Sequence, residues 1–285
     1  MLNTEEKMTN SISEYAIVSK KAVFGDNVSI GHNTIIEDDV IIDAGCTIEE
    51  NVIIRKGVHI MENSRIGANC IIGEHTGEYY RTGSDLLLTI GKNALIRSGS
   101  ILYCGSSIGD DFQTGHQVTI REKSEIGNHV SVGTLSDIQG SCWIGNYVRM
   151  HSNVHVGMGT KIHDYVWIFP YTVMTNDPTP PSEVIQGVTI DSFAIVATGA
   201  ILLPGIHLAS DCLIAAGAIV RKDVEMYQVI GGNPGKVIGD VRKIRNHETG
   251  EPVYPWRYTF SRNMPWEKLG YEKWKIEEDK KSGNY

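Results

Sequence analysis

The chain has 285 residues, 41% of them hydrophobic, and a formal charge of -8. That acidic balance argues against a nucleic-acid partner, which would need a basic face, and no stretch approaches the roughly 20 apolar residues of a membrane span. Residues 1–10 carry Glu5, Glu6 and Lys7 and no apolar run, so no signal peptide is expected and a cytoplasmic location follows.

From Val18 onward every sixth residue is apolar, through Phe24, Ile30, Ile36, Ile42 and Ile48 to Ile72, with a small or β-branched residue two places earlier each time. A period of six cannot hold one stripe on a helix of 3.6 residues per turn. It suits short strands whose inward residues lie two apart and are followed by a corner. The register runs on from Ile90 to Met174, broken only by Thr114, and again from Ile190 to Val220. Three sides of six close a turn of eighteen, so the pattern predicts an all-β parallel β-helix of about ten coils, roughly 50 Å tall at the usual strand spacing. The expected organisation is an N-terminal extension 1–15, a β-helix 16–239 and a C-terminal extension 240–285.

Two stretches interrupt the repeat and are expected to protrude as loops, where such scaffolds carry function. The first, Glu74 to Leu88, holds Tyr79 and Arg81; the second, Thr175 to Gly187, opens with Thr175-Asn176-Asp177-Pro178. The tail beyond Val220 contains Tyr254, Trp256, Tyr258, Phe260, Trp266, Tyr271 and Trp274, too many aromatics to hang in water. They are expected to pack on the prism or on a neighbouring subunit. Cys46, Cys70, Cys142 and Cys212 fall at small inward positions and read as core filler, Cys104 at a corner, and the spacing offers neither a disulfide frame nor a CxxC metal site.

Outward positions are readable too. Ile17, Ile35, Ile53 and Ile71 lie eighteen apart and form a vertical apolar ridge, which implies a partner surface. Asp137 and His155 are likewise outward and eighteen apart, about 5 Å from one another on adjacent coils. An acid there raises the basicity of the imidazole and orients it; a hydrogen bond within an interface is the plainer alternative.

The segment Thr114-Gly115-His116-Gln117-Val118 sets His116 at a corner of a central coil, below Thr134 and Ser152 and beside the runs Thr134-Leu135-Ser136-Asp137 and His151-Ser152-Asn153-Val154-His155. His32 holds an equivalent corner without that polar company. Here the chain resembles the hexapeptide-repeat acyltransferases of lipid A assembly and the N-acetyltransferases of nucleotide-linked amino sugars, in which a corner histidine is the general base. It departs from their motif in having Gln117 where many have an acid or Asn. The Thr134 to Asp137 and Asn176-Asp177-Pro178 wording, with Pro255-Trp256 and Pro265-Trp266 in the tail, is similar to the 3-amino-3,6-dideoxyhexose N-acetyltransferases.

That resemblance implies a left-handed coil, a homotrimer with sites between prisms, and acetyl-CoA as cosubstrate with no metal. It also implies transfer to a dTDP- or UDP-linked amino-deoxy sugar for lipopolysaccharide or S-layer glycan synthesis. The catalytic candidates are His116, Asp137 and His155, and the substrate candidates Tyr79, Arg81, Thr134, Ser136, His151, Asn153, Asn176 and Asp177. For the coenzyme, the small residues Ala197, Gly199, Ala215 and Gly217 would let a pantetheine arm approach, and Arg221, Lys222 and Lys236 would hold phosphates. Three alternatives stand beside it: O-acetyl transfer to a sugar or small alcohol, a zinc lyase of the carbonic anhydrase type using histidines from two subunits, and a scaffold without catalysis. His151 and His155 do not favour the zinc reading, because a corner and a flat strand do not share a face.

Overall fold

A computed structural model describes residues 9–83 and 86–281. The charged start, Glu5 to Lys7, and the last four residues lie outside the described residues. Strands mostly two residues long wind into three sheets of 13, 11 and 10 strands, called here the first, second and third faces. Strands pair in parallel with one a full turn later, as Ile30 with Ile48, Ile36 with Ile54 and Ile126 with Ile144, except that Gln228–Gly231 and Lys236–Asp240 close the first face as an antiparallel pair. The sixth-residue series is therefore the core, and Ile48, Ile54, Ile60 and Ile66 are almost wholly inaccessible.

The parallel β-solenoid has about twelve turns rather than the ten expected. Ser11–Ile12 adds a strand at one end by pairing with Ser29–Ile30. At the other, Leu213 pairs with Val229, short of a full repeat, because the corner after Val220 is contracted and the period is lost from the sequence.

Corners follow a backbone rule. The third residue after most inward side chains adopts the left-handed conformation, as at Asn33, Asp39, Asn51, Gln117 and Asn153, which explains the abundance of Asn, Asp and Gly there. Inward Ser and Thr close the same corners: Ser136 Oγ donates to His151 O at 3.0 Å and accepts from Val154 N at 3.1 Å. Thr114, the exception to the apolar rule, is buried and accepts a hydrogen bond from Arg97 N at 2.9 Å.

Both interruptions leave the edge between the second and third faces. Ile71 pairs with Ile101 and Val173 with Ile201, so in each case the chain makes its excursion and then resumes the same sheet in register. The first insertion covers Cys104, whose amide donates to Glu74 O, so all five cysteines are buried, including the one at a corner.

The outward column of the second face runs Ile17, Ile35, Ile53, Ile71 and Ile101, then Thr119, Asp137 and His155, then Val173, Ile201 and Ile219. The isoleucine ridge is thus one end of an apolar face with a polar window of three coils.

The tail packs on its own prism. Trp256, Met264 and Trp266 bury themselves with Ile195 on the first face. They rest on a ladder of stacked rings, His129, Tyr147, Tyr165 and Phe193, with centroids 4.5, 5.4 and 4.9 Å apart, along the edge between the third and first faces. Trp256 Nε1 donates to Phe193 O at 3.1 Å, and Arg257 pairs with Asp211.

Candidate active site

The edge between the first and second faces carries His116. The residue preceding it, Gly115, admits no side chain: an added Cβ would stand 2.3 Å from Thr134 N, and one on Gly133 would stand 2.4 Å from the His151 carbonyl carbon. Two successive side-chain-free corners between Arg97 below and His151 above open a cleft of about 410 Å³, lined also by Thr134, Ser152, Gln113, Ser131, Arg149, Trp167 and Arg262.

His116 stands exposed beside this cleft. Its Nδ1 lies 2.8 Å from Ser98 Oγ and its amide donates to Thr134 Oγ1 at 3.1 Å. Ser98 therefore orients the ring, a role that the Gln117 substitution leaves open in the sequence. When Nδ1 donates to Ser98, Nε2 keeps its lone pair for a substrate proton. Ser13 contacts His32 in the same way, with Tyr15 edge-on to its ring, so His32 is not as isolated as expected. The neighbouring cleft separates the two corners; the serine does not.

Asp137 and His155 are register partners on the second face, with Oδ2 3.1 Å from Nδ1. Gln139 Nε2 adds a hydrogen bond to the same oxygen at 2.9 Å, while Oδ1 is buried without a partner. The hydrogen bond to Asp137 raises the His155 pKa against the opposing effect of burial. Asp137 is held low by the same bond, then by Gln139 and by the charges of His155 and Arg121. His151, stacked on Phe169 at 4.7 Å, is shifted down by partial burial and by Arg149.

The remaining candidates divide between two edges. Thr134, His151 and Asn153 share the corner column of His116, and Ala197, Gly199, Ala215 and Gly217 lie higher on it, beyond Phe169-Pro170-Tyr171. Tyr79, Arg81, Asn176 and Asp177 lie on the opposite edge of the second face. There Arg81 lines a separate cleft of about 330 Å³ with Arg121, and Tyr79 stacks on His75 at 3.7 Å. Both Asp177 oxygens are taken by Ser182 and the amide of Thr179 within its own loop. Ser136 is withdrawn from the site, since it is an inward residue, 1% exposed, with its hydroxyl spent on the corner. Arg221, Lys222 and Lys236 do come together, lining a cleft of about 660 Å³ at the C-terminal end.

Sequence reasoning missed Arg97, Arg149, Arg262 and Trp167. Arg149 and Trp167 are outward residues eighteen apart on the first face and were open to the same reading as Asp137 and His155. Arg262 was not, because only the docked tail brings it there.

Residues 21–56 and 45–77 match the bacterial transferase hexapeptide (six repeats) family. The match lies within the first turns of the solenoid. The solenoid is 30% identical over 136 residues to gamma carbonic anhydrase 2, mitochondrial, of Arabidopsis thaliana, covering 41% of this chain and 48% of that one. It is 32% identical over 103 residues to a chloramphenicol acetyltransferase of Escherichia coli, covering 33% and 49%. A 2,3,4,5-tetrahydropyridine-2,6-dicarboxylate N-acetyltransferase of Staphylococcus aureus is 30% identical over 94 residues, covering 33% and 34%. The solenoid thus spans about half the length, or less, of these curated relatives. Among solved structures, LpxA from Acinetobacter baumannii superimposes with a TM-score of 0.55 over 80% of this chain and 74% of that one at 22% identity, a likeness of fold. Among the described residues, no three His, Cys, Asp or Glu side chains group as metal ligands, and no helix is long and apolar enough to cross a membrane.

Proposed function

We propose that this solenoid is an acyl-CoA-dependent acyltransferase that moves an acetyl group from acetyl-CoA to the amine of a nucleotide-linked deoxyamino sugar. The observation that carries the reading is the Ser98-oriented His116 beside a cleft walled by Gly115 and Gly133. The names of two curated relatives, both acetyltransferases, support the reaction class.

In this reading the substrate nitrogen attacks the thioester carbon and passes its proton to His116 Nε2, and the tetrahedral adduct collapses with loss of the CoA thiolate, which takes the proton back. Imidazole suits this traffic because it titrates near neutrality. The pantetheine arm follows the column of Gly217 and Gly199 down the same edge, and Arg221, Lys222 and Lys236 receive phosphates at the C-terminal end. The isoleucine ridge of the second face, with Ile17 67% exposed, is assigned to contact between copies in a trimer.

A second base has its own observation. The hydrogen-bonded Asp137–His155 pair, set in an apolar face, would act if that face meets a partner prism. Thiol release from acetyl-CoA, measured with dTDP- and UDP-linked amino sugars, free amino sugars and simple alcohols, tests the reading. Release with alcohols alone would move it to O-acetyl transfer, and release with none would end it.

A further inference from the structure

Three arginines line the cleft beside His116. Arg97 enters from the corner, Arg149 from the first face and Arg262 from the docked tail, and no carboxylate lines the cleft with them. Arg149 is half-buried, spread over the Trp167 ring at 5.4 Å, and among the described residues its guanidinium donates only to a backbone carbonyl, that of Asn263 at 3.3 Å. Burial and the nearby charge of Arg262 both push its pKa down, so the group is held charged in surroundings that do not favour charge.

Two buried donors without a partner, Arg149 Nε and Trp167 Nε1, also belong to residues that line this cleft. Buried donors ordinarily find acceptors, and unpaired arginines held together are a site for an anion that can bridge them.

Trp167 also lines a second cavity of about 520 Å³, mostly apolar, walled by Phe169, Tyr254, Trp256 and Phe260. An aromatic slot joined to a carboxylate-free arginine cleft matches a planar base attached to phosphates. We propose that the two form one nucleoside-diphosphate site, with the base among Trp167, Trp256 and Phe260, the diphosphate against Arg97, Arg149 and Arg262, and the group beyond the phosphates at the His116 corner. This deepens the transferase reading and rests on it only for the sugar at that corner. It places the nucleotide on the first face under the tail, away from the two insertions.

Isothermal titration of the full chain with UDP, dTDP, CoA and inorganic pyrophosphate, without any transfer reaction, tests it. R97Q and R262Q alter exposed side chains and spare the fold, which thermal melting verifies; the conservative W167F probes the slot. UDP or dTDP should bind the wild type and weaken roughly ten- to hundredfold in either arginine variant, the loss expected of a charge-assisted hydrogen bond. Weakening of UDP or dTDP with CoA unchanged assigns the site to the sugar nucleotide and supports the proposal; the converse, CoA weakened with UDP and dTDP unchanged, assigns it to the acyl carrier and overturns it. Pyrophosphate binding as tightly as the nucleotides, or nucleotide affinities untouched by both arginine variants, would overturn it. Because no acetyl transfer is measured, an inactive preparation that binds nucleotides would count against the proposed reaction and leave this site standing.

Discussion

Ser98 and His116 occupy the same corner of adjacent coils, with Oγ 2.8 Å from Nδ1. The relationship is set by the eighteen-residue turn and makes His116 an oriented group on a rigid edge. A positioned base typically contributes about 10² to 10⁴ in rate. H116A is therefore expected to lower kcat at least about a hundredfold at neutral pH with coenzyme binding unchanged, while S98A, which frees the ring without removing it, should cost less. Steady-state kinetics on both variants check this, and near-normal turnover in H116A would transfer the role to His155.

The Asp137–His155 pair has a pH signature of its own. The folded pKa of His155 lies above its ordinary value of 6.5, so its contribution to stability is complete below about 6.5 and fades as pH rises through the folded value. Asp137 is lowered from 3.8, so its contribution holds above that value and fades as pH falls through the folded one. The pair should stabilise most between these limits. In D137N the raising partner is gone and burial remains, so an NMR titration should find the His155 pKa moved down; an unmoved value would mean that the two groups do not interact.

Burial pushes the Cys70 and Cys142 thiols up to about 11 and Cys212 up to about 12. Thiolate is the reactive species, so these three should resist iodoacetamide at pH 8 in the folded chain and react on unfolding. Mass spectrometry of the alkylated native protein reads the outcome.

The isoleucine ridge predicts an assembly. Replacing Ile35 and Ile53, neighbours in register on the second face, by Asp should dissociate it in sedimentation velocity. An unchanged mass would remove the ridge from the interface.

Trp266 is fully buried among Tyr165, Phe193 and Trp256. Truncation of such a side chain costs about 3–5 kcal/mol, so W266A should lower the stability of the tail and its supporting coils by that order in denaturant unfolding.

The coil was legible because a period of six leaves a mark at every turn: Ile30 predicts Ile48, and Asp137 predicts His155. The same rule misjudged the ends, where Gln228–Gly231 follows a shortened corner and no longer repeats. By the same period Ser136, two places before Ile138, falls at an inward position, where its hydroxyl serves the corner and not a substrate. The first-face cleft was hidden for a different reason. Its floor is the absence of side chains at Gly115 and Gly133, and its third arginine, Arg262, comes from the tail, far from Arg97 and Arg149 in sequence. Contacts between a repeat and a tail carry no period.

A solenoid holds itself together only between nearest neighbours, so each coil can in principle open independently of distant ones. The ring ladder from His129 to Phe193 and the tail lying over it cut across that independence, since Trp266 and Trp256 touch rings on two successive turns and Arg257 reaches Asp211 on the next. The docked tail works as a splint. The central coils should behave as one block with slow hydrogen exchange, while the turns from Ser11 to Ile72, on which none of the described tail residues packs, should exchange faster.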